Sequence, residues 1–142
     1  MRLFVVLFSF CILLLACEDS GNEATRGLSA VTGKNSYTVG EEIAISISNG
    51  TALLLWLQTC CNDNLMYYVD RLESGIWSQY KTNGIPCLTA CPSILIYVGS
   101  SRPYQSNIGS EIDERGIYRF RFLFGDDWLN NKELASNSFE IK

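Results

Sequence analysis

The sequence predicts an all-β chain, an antiparallel sandwich of about seven short strands. Period-two alternation recurs along it, as where Ile43, Ile45 and Ile47 alternate with Ala44, Ser46 and Ser48, the pattern of a strand with one buried face. Clusters of Gly, Asn, Asp, Ser and Pro separate such runs about every 8 to 12 residues. Beyond the first residues, no stretch repeats its apolar side chains at the helical period.

The chain opens with one cation, Arg2, and an uncharged apolar run over residues 3–16. A helix needs about 20 apolar residues to cross the roughly 30 Å hydrocarbon core, so this run reads as an export signal. Its end, Leu14-Leu15-Ala16-Cys17, resembles the lipobox of bacterial lipoprotein signal peptides. The resemblance implies removal of residues 1–16, a diacylglycerol on the Cys17 sulfur and an acyl chain on its amino group. Such a protein partners the membrane through its N-terminal lipid, since two chains already suffice for stable anchoring. An ordinary secretory signal would instead leave Cys17 an unpaired exposed thiol, which the cysteine arithmetic disfavours. Cys11 then falls inside the discarded signal.

Residues 17–34 are rich in Gly, Ser, Asn, Thr and acids and read as a flexible tether. Glu18, Asp19 and Glu23 resemble two lipoprotein sorting signals, one retaining at the inner membrane and one sending to the surface. The expected location is the bacterial cell envelope, with the outer membrane or cell surface ranked ahead of the inner membrane. Residues 35–142 remain for one domain, a common size for a single core. The chain has 11 Lys and Arg against 15 Asp and Glu, a net charge of −4, and losing Arg2 makes it more acidic. That balance repels phosphate backbones and excludes nucleic acid as a partner.

Setting Cys11 and Cys17 aside leaves Cys60, Cys61, Cys87 and Cys91 of the six cysteines. In an exported chain an even number points to disulfides. Adjacent cysteines joined to each other make a strained ring, so the two cross-pairings between Cys60-Cys61 and Cys87/Cys91 are favoured, each worth on the order of 3 kcal/mol. A zinc site is the competing reading. Only Cys87 and Cys91 come near the usual ligand spacing, and compartment and spacing both favour disulfides.

The first strand is expected at residues 36–39, and the second carries the Ile43, Ile45, Ile47 alternation. Asn49-Gly50 is a hairpin signal, because both residue types tolerate positive φ. Leu53-Leu54-Leu55-Trp56-Leu57 reads as a fully buried strand. Residues 65–72 form the next strand, Glu73-Ser74-Gly75 turns the chain, and residues 76–80 return with Trp77 and Tyr80 closing one side of the core. Residues 81–92, with Pro86, Pro92 and two cysteines, form a stapled loop. Residues 93–99 are a further strand, and residues 104–112, poor in apolar side chains, suit an edge strand.

Late in the chain Phe120, Phe122 and Phe124 alternate with Arg119, Arg121 and Leu123, placing three phenyl rings on one face. Residues 126–131 read as a loop or single helical turn, and residues 137–141 close the sheet. Gly116-Ile117-Tyr118 resembles the tyrosine corner of immunoglobulin-type sandwiches, in which a phenol bonds back to the preceding turn. Phe120 stands where antibody domains place their second core cysteine. From residues 37–42 through Trp77 to Tyr118-Arg119, the chain looks like the immunoglobulin-like domains of small bacterial lipoproteins. More loosely, it is similar to BsuPI-type proteinase inhibitors, which are also sandwiches.

The chain has no histidine, which excludes Ser-His-Asp and Cys-His catalysis and His-ligated metal sites as usually built. Asp126-Asp127 offers a carboxylate pair, and Asn62-Asp63-Asn64 or Asp126, Asp127 and Asn130 offer oxygen ligands for calcium. Neither set completes a motif, and both read as solvated loops, so no metal and no cofactor is expected. Tyr104 and Trp128 are the aromatics with no assigned place on a buried face, and they are the candidate contact surface. The expected function is that of a non-enzymatic envelope module binding a protein or glycan. The alternative is a protease inhibitor presenting the disulfide-braced loop bounded by Thr82 and Pro92.

Overall fold

The computed structural model describes residues 27–59, 65–83, 93–96, 104–125 and 132–142. These residues form strands and no helix: β1 (Leu28–Thr32), β2 (Ser36–Tyr37), β3 (Ile43–Asn49), β4 (Leu55–Gln58), β5 (Tyr67–Glu73), β6 (Ile76–Asn83), β7 (Ser93–Ile96), β8 (Tyr104–Ile108), β9 (Gly116–Gly125), β10 (Lys132–Ala135) and β11 (Phe139–Ile141). One sheet has the order β1-β3-β8; the other is built on β9.

The count exceeds seven because several sheet positions are each filled by two short strands. Along one edge of β9, Leu57 pairs with Phe124 in β4, and Tyr67 to Arg71 of β5 then pair with Phe122 to Tyr118. Along the other edge, β10 pairs with residues 121–124 and β11 with residues 116–118. Outside these lie β7 against β4 and β6 against β5. The first sheet position splits as well: β1 pairs with β3, whereas β2 pairs parallel to β11 in the opposite sheet. Joined end to end, the described segments occupy about seven positions in two sheets, a sandwich-like all-β arrangement.

The core follows from the alternation. Ile43, Ile45 and Ile47 of β3 are buried, as are Tyr118, Phe120, Phe122 and Phe124 of β9. Tyr67 meets Phe120 edge-on at 5.3 Å between centroids, and Phe120 meets Phe139 tilted at 5.0 Å, within the range aromatic pairs prefer. The Tyr118 hydroxyl donates to the carbonyl of Glu114 at 3.0 Å, which closes the tyrosine corner expected from the sequence. As the terminal strand of its sheet, β8 is an edge among the described residues.

Several local expectations are corrected. Folded structure starts earlier than residue 35: Leu28–Thr32, read as tether, is β1, with Leu28, Ala30 and Thr32 buried. Its three inward residues are only moderately apolar, so their period-two signal is weak. Asn49-Gly50 makes no hairpin, because neither residue takes positive φ. Instead Asn49 Oδ1 accepts from the Thr51 backbone at 3.0 Å, and Nδ2 donates to the carbonyls of Leu53 and Ile96. This Asx turn competes with the hairpin and carries the chain from one sheet to the other. Gly50 is needed for close approach: its N–H meets the Gly27 carbonyl at 2.6 Å, and a Cβ would lie 2.9 Å from that oxygen.

The Leu53-to-Leu57 run is half exposed rather than fully buried. Leu55 and Leu57 face the core, whereas Leu53, Leu54 and Trp56 are open to solvent. In β6 the pairing shifts opposite Val69/Asp70. That bulge turns Tyr80 against the core and leaves Trp77 on the outer face.

Candidate interaction face

The residues of β9 that alternate with its buried rings are Ile117, Arg119, Arg121 and Leu123, and they face outward. In-register pairing sets Arg119 beside Asp70 and Arg121 beside Tyr68. Asp70 breaks the apolar pattern of β5 and is 3% exposed. It accepts from Arg119 Nε at 3.2 Å, and from Arg121 Nε and Nη2 at 3.1 Å each. Both sides of the carboxylate are thereby used, as the burial of a charge requires.

The two guanidinium groups are held from above as well. Arg119 lies over the Trp77 ring at 4.5 Å, and Arg121 over the Tyr68 ring at 4.7 Å. Arg121 also donates to Glu133 at 2.6 Å and to Gln79 at 3.3 Å. The hydrogen bond to Asp70 is the largest cause raising the Arg121 pKa above its ordinary value. Positive and negative partners balance, so this is a rigid, nearly neutral lattice of Arg and aromatic groups. On the same face but at the far end of β9, Trp56 pairs with Gly125 and is 39% exposed, and at the strand's start Ile117 is 44% exposed.

A second polar cluster borders the tyrosine corner. Lys81 Nζ donates to Asp113 Oδ1 at 2.7 Å, and the Tyr80 hydroxyl donates to the same carboxylate. The Lys81 bond, then the Tyr80 bond, hold the Asp113 carboxyl down at about 2.

Of the contact aromatics expected from the sequence, Tyr104 opens β8, is half-buried and packs against the core. Trp128 lies outside the described residues, as do Cys17, Cys60, Cys61, Cys87 and Cys91, the calcium and acid candidates at residues 62–64 and 126–130, and residues 84–92 of the expected inhibitory loop. The Arg and aromatic face itself was not singled out from the sequence. Its signals were present in Asp70 inside Tyr67-Tyr68-Val69-Asp70-Arg71-Leu72 and in the Arg residues between the Phe residues of β9. Only pairing across strands that are distant in sequence joins them.

Among the described residues, no group of three or more His, Cys, Asp or Glu side chains is arranged to hold a metal ion. The face described above presents hydrogen-bond donors, flat rings and aliphatic surface, which suits recognition. The chain matches no protein-family model, no curated protein and no solved structure.

Proposed function

We propose that this chain is a membrane-anchored, non-enzymatic lipoprotein of the bacterial envelope that binds another envelope protein through the outer face of its β9 sheet. The anchor rests on the lipobox-like Leu14-Leu15-Ala16-Cys17, and the preference for outer membrane or cell surface stays part of the proposal. The observation that carries the binding reading is the lattice in which Asp70 fixes Arg119 and Arg121 against the Trp77 and Tyr68 rings. Trp, Tyr and Arg dominate the energetics of protein interfaces, and side chains already immobilised lose less entropy on association.

The test is a cross-linking pull-down from membranes carrying the full-length protein. Wild type is expected to capture a discrete partner, and Trp56→Ala combined with Trp77→Ala to lose it while the thermal melt stays cooperative. Equal capture by both proteins would exclude this face, and turnover of peptide, ester or glycoside substrates by the purified protein would exclude the non-enzymatic reading.

A further inference from the structure

The two ends of the sandwich differ in character. β9 runs from Gly116 to Gly125, which sets its ends about 30 Å apart. Around the Gly116 end stand Glu41, Glu42, Glu73, Asp113, Glu114 and Arg115: the Gly40 N–H donates to the Ile112 carbonyl, the Tyr118 hydroxyl donates to the Glu114 carbonyl, and Arg71, which pairs with Tyr118, donates to the Glu114 carboxylate. The exposed apolar residues of that end are each set beside an acid, since Ile76 pairs with Glu73, Ile117 pairs with Glu140, and Val39 is two residues from Glu41. At the Gly125 end, where Trp56 pairs with Gly125, the exposed side chains of residues 52–56 are all apolar: Ala52, Leu53, Leu54 and Trp56.

Surface leucines scattered singly need no explanation, but Leu53 and Leu54 are adjacent, 56% and 43% exposed, and held on a fixed turn. Asn49 Nδ2 donates to the Leu53 carbonyl at 2.8 Å and to the Ile96 carbonyl at 3.2 Å, and the Leu53 N–H donates to the Thr51 hydroxyl at 3.1 Å. The same turn receives the chain from its N-terminus, because the Gly27 carbonyl accepts from the Gly50 N–H at 2.6 Å. Cys17 lies ten residues before Gly27, and ten residues reach at most about 35 Å when fully extended. A lipid on Cys17 is thereby attached at the leucine end. For the acidic end to meet the bilayer instead, the domain would have to invert and use nearly that whole reach.

We propose that Leu53 and Leu54 dip into the headgroup region of the bilayer that holds the lipid anchor, so that the sandwich stands on this end. The inference rests on the lipoprotein reading and adds a second membrane contact to it. Insertion removes the two leucines from water and brings Trp56 to the interface, where an indole is favoured. The acids of the Gly116 end are at the same time held away from anionic headgroups, which would repel them. Two leucines fall short of a single acyl chain in buried carbon, so they orient a protein that the lipid attaches. With β9 running away from the membrane, its outer face is presented sideways.

The experiment is lipid photolabelling. Full-length protein purified from membranes is reconstituted into vesicles of phosphatidylethanolamine and phosphatidylglycerol containing a phospholipid with a diazirine on its acyl chain, floated, irradiated and mapped by peptide mass spectrometry. Label is expected in residues 51–56 and not in residues 111–115. Leu53→Ser combined with Leu54→Ser is expected to lower labelling of residues 51–56 at least about fivefold, with flotation and the thermal melt unchanged. Should the double variant melt lower than wild type, Leu54→Ser alone is read in its place. Wild type that fails to float with the vesicles overturns the lipid anchor and this contact with it. Wild type that floats but carries no label in residues 51–56, equal label at both ends, or the same labelling in the folded variant overturns the contact alone.

Discussion

Asp70 is a buried acid on a strand otherwise rich in apolar side chains. Its carboxylate is 4% exposed, whereas the Arg119 and Arg121 side chains that cover it are 28% and 18% exposed. Removing the acid strands two cations that rehydrate only in part, so Asp70→Ala should cost about 2–3 kcal/mol in chemical denaturation. A cost below about 1 kcal/mol would mean that the guanidinium groups are held by their rings and Glu133 alone. Asp113 behaves differently because it is exposed. Its folded carboxyl titrates near 2, below its ordinary 3.8, so the stabilisation from Lys81 and Tyr80 is complete above about pH 4 and disappears as pH falls through about 2. In acid titrations followed by circular dichroism, wild type and Asp113→Asn should therefore differ in stability at neutral pH and converge below about pH 2. A gap that persists at lower pH would assign the effect to something other than this carboxylate.

At the scale of elements, the β5–β6 hairpin shows how local chemistry sets register. Glu73 pairs with Ile76 across a two-residue turn in which Ser74 has φ 51° and Gly75 φ 82°, the double positive φ of a type I′ turn. Serine tolerates that conformation less well than asparagine, so Ser74→Asn should stabilise the protein by about 0.5 kcal/mol, read as a rise in denaturation midpoint with unchanged slope. A fall would show that the Ser74 side chain makes a contact that matters more than the backbone preference. This turn was legible in sequence, as were the β3 alternation and the ring-bearing face of β9, because each depends on neighbours within a few residues. The Asn49-Gly50 crossing was not. Its geometry is fixed by Ile96, 47 residues away, and by the Gly27 carbonyl. The same reason hid the Asp70 lattice, which strands distant in sequence assemble. β4 was misread because a run of leucines suggests burial on two faces, whereas the strand has a sheet packed on only one.

At the scale of the whole molecule, the core of the described residues already includes β1: Leu28 and Ala30 are buried in the cluster that the two sheets share. Cys17 lies ten residues before Gly27, the first described position, so the proposed anchor and the fold are separable. Under the proposed lipid anchor, Cys17→Ala is expected to move the protein from the membrane fraction to the soluble fraction while leaving its melting temperature unchanged. Fractionation and a thermal melt on the same preparations separate the possibilities. Pelleting of the variant with membranes as before would remove the lipid anchor and the envelope location argued from it. A lower melting temperature would instead make position 17 part of the folded structure. Release at constant stability leaves the outer face of β9 to be tested on a protein free of detergent, where loss of partner capture by Trp56→Ala with Trp77→Ala can be read without the membrane's own contribution to binding.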